Sequence, residues 1–382
     1  MNCKFMKITY VTYQGIPSYN TYAYGICTFS TIKYLRRNNF DVDLIYPLRD
    51  KISTTDIETL KNFYEIDEDF EIKATKHLLP LGRVKFLEKY MFIFSHILWS
   101  FYISNKIARE KDLTVFTLSD WVFYFLSKKG KNVVYECHDL TNIRKKLVKK
   151  ALKSKNSKLI CINKYVKEDL KLNSENNVIV LENGYEQDIF TKSSKDSEKI
   201  KVVYSGNLQR FGKSRGVEEI IDYFIDSKFN LRAEFHVFGG PPEYSEKLKL
   251  KYNNQNIFIH GHVKRRELSK VLKYAHVGIM SNTESMHAQR HTSPVKYYEY
   301  IGSGMVVVAT DSLAHKQLPY QNQIYFFNLE NKNSFLNALE KAIEHKEDDK
   351  PSSVENLSLE YRMKNVIEFI TARPEGLEPS TP

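Results

Sequence analysis

Several groups of residues in this chain are of types that could do chemistry. One lies at Thr292 and in the stretch Ser293 to Asp311, SPVKYYEYIGSGMVVVATD. Ser293 is a preferred N-cap, Pro294 suits the first helical position, and Gly302 and Gly304 can end a helix. The spacing predicts a helix followed at once by a buried strand. Such a helix start presents free N–H groups and partial positive charge, which makes Thr292 and Ser293 a candidate phosphate seat. The paired oxygens of Glu299 suit the hydroxyls of a ribose. A cationic loop of Arg210, Lys213 and Arg215 follows Gly206 and precedes a helical stretch, a general arrangement for holding phosphates. His138 stands at the end of an apolar run, where a ligand of a parallel sheet would sit, although isolated histidines are also commonly structural. Gly15, in Gln14-Gly15-Ile16-Pro17, is a lone glycine and not a dinucleotide fingerprint, and it reads as a place where a substrate approaches the backbone.

The elements that must position these residues alternate regularly. Strand patterns occur at Lys7 to Thr12, Asp41 to Tyr46, Leu113 to Thr117, Asn132 to Glu136, Lys158 to Ile162 and Asn177 to Leu181. Helical patterns separate them at Tyr24 to Arg37, Trp121 to Lys128, Ile143 to Lys153 and Lys164 to Lys171. The polar stretch Thr191 to Glu198 divides this series from another, with strands at Lys201 to Ser205, Ala233 to Phe238, Ile257 to His260, Val277 to Met280, Met305 to Ala309 and Gln323 to Phe326. Strands alternating with helices imply parallel sheets with right-handed crossovers. The expected architecture is α/β, with a Rossmann-like domain at 1–190 and another at 198–355 facing a cleft. A terminal helix is expected at 356–372 and a disordered, proline-rich tail at 373–382.

Composition narrows the class. A chain of 382 residues exceeds the ~250–300 at which single cores stop growing, and 42% hydrophobic with 27% charged residues describes a globular protein. Cys3, Cys27, Cys137 and Cys161 are scattered without a CxxC pair, which points to a reducing cytoplasm and away from a zinc site or disulfide framework. Lys4 and Lys7 lead into a short strand and not into a signal-peptide core. The longest apolar run, Phe92 to Ile103, falls short of the ~20 residues of a spanning helix. A net charge of +11 predicts anionic partners. The helical region behind Arg83, Lys85 and Lys89 fits a lipid interface or core packing equally well. The run from Arg144 to Lys158, with no acidic residue, reads as a membrane-docking patch or a solvated face. No nucleic-acid-binding motif accompanies the charge, so nucleic acid is not an expected partner.

Five segments in order resemble the GT-B nucleotide-sugar glycosyltransferases, specifically the retaining glycosyl transferases group 1, or family 4. They are NGYEQDIF (183–190), YSGNLQRFGKSRGVEEIIDYF (204–224), HVFGG (236–240), GHVKRRELSKVLKYAHVGI (261–279) and SPVKYYEYIGSG (293–304). The resemblance implies that Glu299 is the ribose-binding second glutamate of the family's Glu–seven residues–Glu motif. His291 holds the place of the first, as in relatives with the SPxKxxEY variant. Asn207 replaces the usual phosphate-loop arginine and Arg215 the usual lysine, so diphosphate binding falls to Arg215 with Lys213 or Arg210. His138 matches a histidine near the donor sugar, and Val263 the stretch whose backbone meets the base. The implied reaction transfers a sugar with retention from a nucleotide-sugar donor, held by the second domain, to a saccharide or lipid-linked acceptor on the first. No bound metal or other cofactor is expected. Capsule or O-antigen assembly at the cytoplasmic face of the inner membrane is the expected setting. A nucleotide-sugar 2-epimerase, or a non-catalytic sugar-nucleotide-binding partner, are alternatives on the same fold.

Overall fold

The computed structural model describes residues 6–17, 22–49, 53–77, 88–172, 176–192, 199–210, 213–229, 231–253, 256–282, 285–345 and 353–372. Cys3, Arg83, Lys85, the tail 373–382 and most of the polar stretch 191–198 lie outside these residues. The chain divides into a unit of 1–182 with 363–382, and another of 183–362.

The first unit contains β1 (Lys7–Val11), β2 (Asp41–Ile45), β3 (Pro47–Leu48), β4 (Glu71–Ile72), β5 (Thr75–Lys76), β6 (Thr114–Thr117), β7 (Asn132–Cys137), β8 (Ser157–Cys161) and β9 (Val178–Val180). A seven-stranded sheet runs in the order β4-β2-β1-β6-β7-β8-β9, every pairing parallel. Its helices are α1 (Tyr22–Arg37), α2 (Ile57–Tyr64), α3 (Glu88–Ile107), α4 (Asp120–Lys128), α5 (Asn142–Ala151) and α6 (Lys164–Leu170). Side-chain caps from Ser119, Thr141 and Asn163 start α4, α5 and α6.

Helix α3 partly inverts the usual pattern, although Trp99, Ile103 and Ile107 are buried. Ser95, Ser100 and Ser104 are buried, while Tyr90, Ile93, Phe94, Phe101 and Tyr102 are exposed. No described helix is long and apolar enough to cross a membrane. The basic run from Arg144 to Lys158 also differs from a uniform charged face. Arg144 Nε donates to Asp120 Oδ2 at 3.1 Å and its NH1 to the Asp139 carbonyl at 2.8 Å. Lys158 Nζ donates to the carbonyls of Phe369 and Ala372, each at 2.6 Å. Both ends of the predicted patch are therefore structural, whereas Lys146, Lys149, Lys150, Lys153 and Lys155 remain exposed.

The second unit contains β10 (Ile200–Ser205), β11 (Gln209–Arg210), β12 (Lys213–Ser214), β13 (Ala233–Phe238), β14 (Ile257–Gly261), β15 (Val277–Met280), β16 (Val306–Thr310) and β17 (Ile324–Phe327). Its six-stranded parallel sheet runs β14-β13-β10-β15-β16-β17. The helices are α7 (Val217–Ile225), α8 (Pro242–Lys251), α9 (Arg265–Leu272), α10 (Met286–Arg290), α11 (Val295–Gly302), α12 (Leu313–Lys316) and α13 (Lys332–Ile343). The last helix, α14 (Leu359–Thr371), begins in this unit, and its residues from Met363 group with the first. Apolar cores cover both faces of the sheet, one built around Val202, Tyr204 and Val308, the other around Val203, Tyr300 and Val307. Alternate residues of one strand thus enter opposite cores, which is why β16 reads as an unbroken apolar run.

Candidate active site

The carboxyl ends of the strands are where a parallel α/β sheet offers a ligand backbone groups and loops. At the end of β10, Gly206 takes φ 118° and donates its N–H to the Phe238 carbonyl at 3.0 Å. A Cβ there would meet no atom within 4 Å, so the backbone borders open space, with Asn207 exposed beside it. The segment then forms the β11–β12 ribbon carrying Arg210 and Lys213, whose side chains lie outside the described residues. Arg215 returns to the sheet: its N–H donates to the Leu208 carbonyl at 3.1 Å, and its carbonyl accepts from Ser281 Oγ at 2.6 Å. The buried Nε of Arg215 has no hydrogen-bond partner among the described residues.

The helix expected to start at Ser293 starts later. Pro294 is its N-cap and makes no side-chain cap bond, and α11 proper begins at Val295. Ser293 Oγ instead accepts the Asn183 N–H at 3.0 Å, while Asn183 Nδ2 donates to the Ser293 carbonyl at 2.6 Å. The amide of Asn183 takes the hydroxyl that local sequence assigns to the helix. Thr292 Oγ1 likewise donates back to the His287 carbonyl at 3.0 Å. His291 is buried at the end of α10, its N–H bonded to the His287 carbonyl. Val263, half-buried, packs on the core beneath α11.

Glu299 does not stand alone. Arg265, in the first turn of α9 and 6% exposed, donates from Nη2 to Glu299 Oε1 at 2.9 Å and from Nε to the same oxygen at 3.3 Å. Its Nη1 donates to Glu186 Oε1, and its guanidinium carbon lies 5.2 Å from the Phe190 ring centre. Burial works against the charge of Arg265, but Glu186 and Glu299 more than offset it and raise its pKa. Neither Arg265 nor Glu186 was singled out by the sequence. The available signal was that Arg265 shares the buried face of α9 with Leu268 and Leu272.

Lys296 was also missed. Its Nζ is buried, has no hydrogen-bond partner among the described residues, and lies 4.4 Å from the Tyr204 ring centre. Burial pushes this amine well below the ordinary lysine range, Arg215 acts in the same direction and Glu299 opposes. His315 at the end of α12, 2% exposed, pairs its Nδ1 with the Thr310 carbonyl at 2.7 Å. Burial chiefly, opposed by that carbonyl and reinforced by Lys296 and Arg215, lowers its pKa to about 4.

A pH dependence follows from His315. Its folded pKa lies below the unfolded value of 6.5, so the stability it contributes is complete above that pH and is lost as pH falls from there toward 4. At pH 5 the loss amounts to about 2 kcal/mol by linkage. Thermal melts between neutral pH and pH 5 check this, with His315→Gln expected to flatten the slope.

In the first unit, His138 follows β7, and its Nε2 lies 2.8 Å from Oε1 of Glu136, which is 3% exposed. A glutamate inside the apolar run NVVYEC was the sequence signal for this orienting partner. The His138 ring also packs against Tyr24, with centroids 5.4 Å apart. Gly15 is half-buried just beyond β1. The second unit, for its part, gathers Arg215 and Lys296 at one sheet edge, a setting chemically suited to a phosphate or diphosphate.

Residues 199–345 match the family model described as Glycosyl transferases group 1. No curated protein matches the chain in sequence. Among solved structures, the apo form of the lipopolysaccharide outer core galactosyltransferase WaaB is 13% identical with TM-score 0.61, covering 96% of this chain and 99% of that one. Sucrose-phosphate synthase from Thermosynechococcus elongatus is 12% identical with TM-score 0.63, covering 96% and 94%. A structure described as trehalose-6-phosphate from E. coli bound with UDP-2-fluoro glucose is 9% identical with TM-score 0.64, covering 96% and 100%. At these identities the likeness is one of fold.

Proposed function

We propose that this glycosyltransferase, whose residues 199–345 form a Glycosyl transferases group 1 domain on the GT-B fold, moves a sugar from a nucleotide diphosphate to a saccharide acceptor with retention at the anomeric carbon. The carrying observation is the sheet edge where Arg215 Nε and Lys296 Nζ are buried with no hydrogen-bond partner among the described residues, while Glu299 is already bonded to Arg265. Departure of the nucleoside diphosphate is the difficult step, and preorganised cations stabilise the charge that develops there. Glu299, fixed by Arg265 and acceptor-only when ionised, is the ribose contact. Gly206 and Val263 bring backbone toward the phosphates and base. In the first unit, His138 is oriented by Glu136. No bound metal takes part.

The acceptor is a lipid-linked saccharide bound by the first unit, and the product belongs to a cell-surface polysaccharide such as capsule or O-antigen. Helix α3, with its aromatic side chains in water, and the lysines of the 145–155 segment support docking at an anionic membrane face. The test is turnover of a nucleotide-sugar panel with and without membrane lipid extract, beginning with UDP-sugars because a structural neighbour holds UDP-2-fluoro glucose. One donor is expected to be consumed only with the extract, and Arg215→Ala to lose about 10–100-fold in kcat/KM. Isomerisation of the donor without acceptor would instead identify a 2-epimerase, and binding without turnover a non-catalytic partner, a reading favoured by Asn207 and His291 at places usually held by an arginine and a glutamate.

A further inference from the structure

A lysine ammonium removed from water without a hydrogen-bond partner is strongly unfavourable, and removing one partner of a buried pair has the same effect. Lys296 Nζ is buried with no hydrogen-bond partner among the described residues, and burial holds it toward the neutral amine. Around it stand Arg215 from the segment after β12, Glu299 from its own helix, His315 from α12 and the Tyr204 ring from β10. The carboxylate of this set is occupied by Arg265, and the histidine is buried and held toward its neutral form. A ring face attracts a cation only modestly. An anion is the group whose charge these cations would pair with, and they lie where a parallel sheet binds its ligand.

We propose that Lys296 is the cation that pairs with Arg215 to receive the donor's diphosphate. The inference rests on the donor reading above. In the reaction, the bond from the sugar carbon to the diphosphate oxygen breaks with its electron pair going to that oxygen, where the Lys296 ammonium donates a hydrogen bond. The acceptor oxygen forms the new bond to carbon, and its proton leaves with the diphosphate. In the unliganded protein the amine is held toward its neutral form by burial and by Arg215, and the arriving anion restores the ammonium with a proton from solvent.

The test compares wild type, Lys296→Met and Lys296→Arg. Thermal stability is measured without ligand. Calorimetry follows with UDP, GDP, ADP and inorganic pyrophosphate at about pH 8, where ordinary histidines are neutral, in buffers of different ionisation enthalpy. Lys296→Met is expected to melt no lower than wild type, to bind about 10–100-fold more weakly, and to lose the wild type's proton uptake on binding. Lys296→Arg is expected to recover most of the affinity. If wild type binds a diphosphate and Lys296→Met binds it equally well, the lysine is structural and the inference falls while the donor reading stands. If wild type binds none of these probes and no nucleotide sugar, the donor reading falls and takes the inference with it.

Discussion

Arg265→Ala is expected to destabilise the second unit by about 3–5 kcal/mol, on the order of 10 °C in melting temperature. The guanidinium is shared between carboxylates that are themselves out of water, Glu186 at 2% and Glu299 at 7% exposure. Removing it takes the guanidinium from both, and the loss of one member of a buried ion pair is strongly destabilising. Urea and thermal denaturation measure the loss, and adding Glu186→Gln to Arg265→Ala should recover part of it because the residues share one network. A melting point within ~2 °C of wild type would mean that the network contributes little, as surface ion pairs do. The same geometry governs how Glu299→Ala must be read. That change removes a ribose contact and half of the Arg265 pairing together, so its kinetics carry meaning only beside its melting temperature.

Gly239→Ala is expected to prevent the second sheet from forming its native ligand edge, at more than about 3 kcal/mol. Gly239 has φ 141°, a region that side-chain-bearing residues rarely enter, and a Cβ on it would lie 1.8 Å from the Gly206 carbonyl oxygen. The obstruction is main chain, and Gly206 is tied to Phe238 while Gly239 is tied to Gly261 by backbone hydrogen bonds. Relief would require separating the ends of β10, β13 and β14. Gly206→Ala is the control: its φ of 118° is also unfavourable, but its surroundings are open, so it should fold with a penalty of about 1–2 kcal/mol. Soluble yield and urea denaturation distinguish the pair, and wild-type stability in Gly239→Ala would contradict this account.

The sheets were legible in the sequence because strands covered on both faces carry short, largely apolar runs, as Val306–Thr310 and Val277–Met280 do. What local pattern could not supply was competition from distant residues. Ser293 looks like a helix cap until Asn183, 110 positions away, claims its hydroxyl. Arg265 looks like one of many surface cations because its partners lie 34 and 79 positions off. Lys296 sits in an ordinary-looking helix, and only the side chains packed around it bury its amine. Arg144 and Lys158 were read as members of a charge run, whereas one is tied to Asp120 and the other caps the end of α14. Helix α3 misleads in the opposite direction: it buries Trp99, Ile103 and Ile107 as a core helix would, yet its serines also face inward while Tyr90, Phe94, Phe101 and Tyr102 face outward.

That inversion sets conditions for handling the protein. Tyr90, Ile93, Phe94, Phe101 and Tyr102 leave large apolar side chains in contact with buffer along one helix. Patches of this kind bring copies of a protein together when no natural surface covers them. Preparations concentrated in plain aqueous buffer should therefore self-associate, and a mild non-ionic detergent should keep them monodisperse.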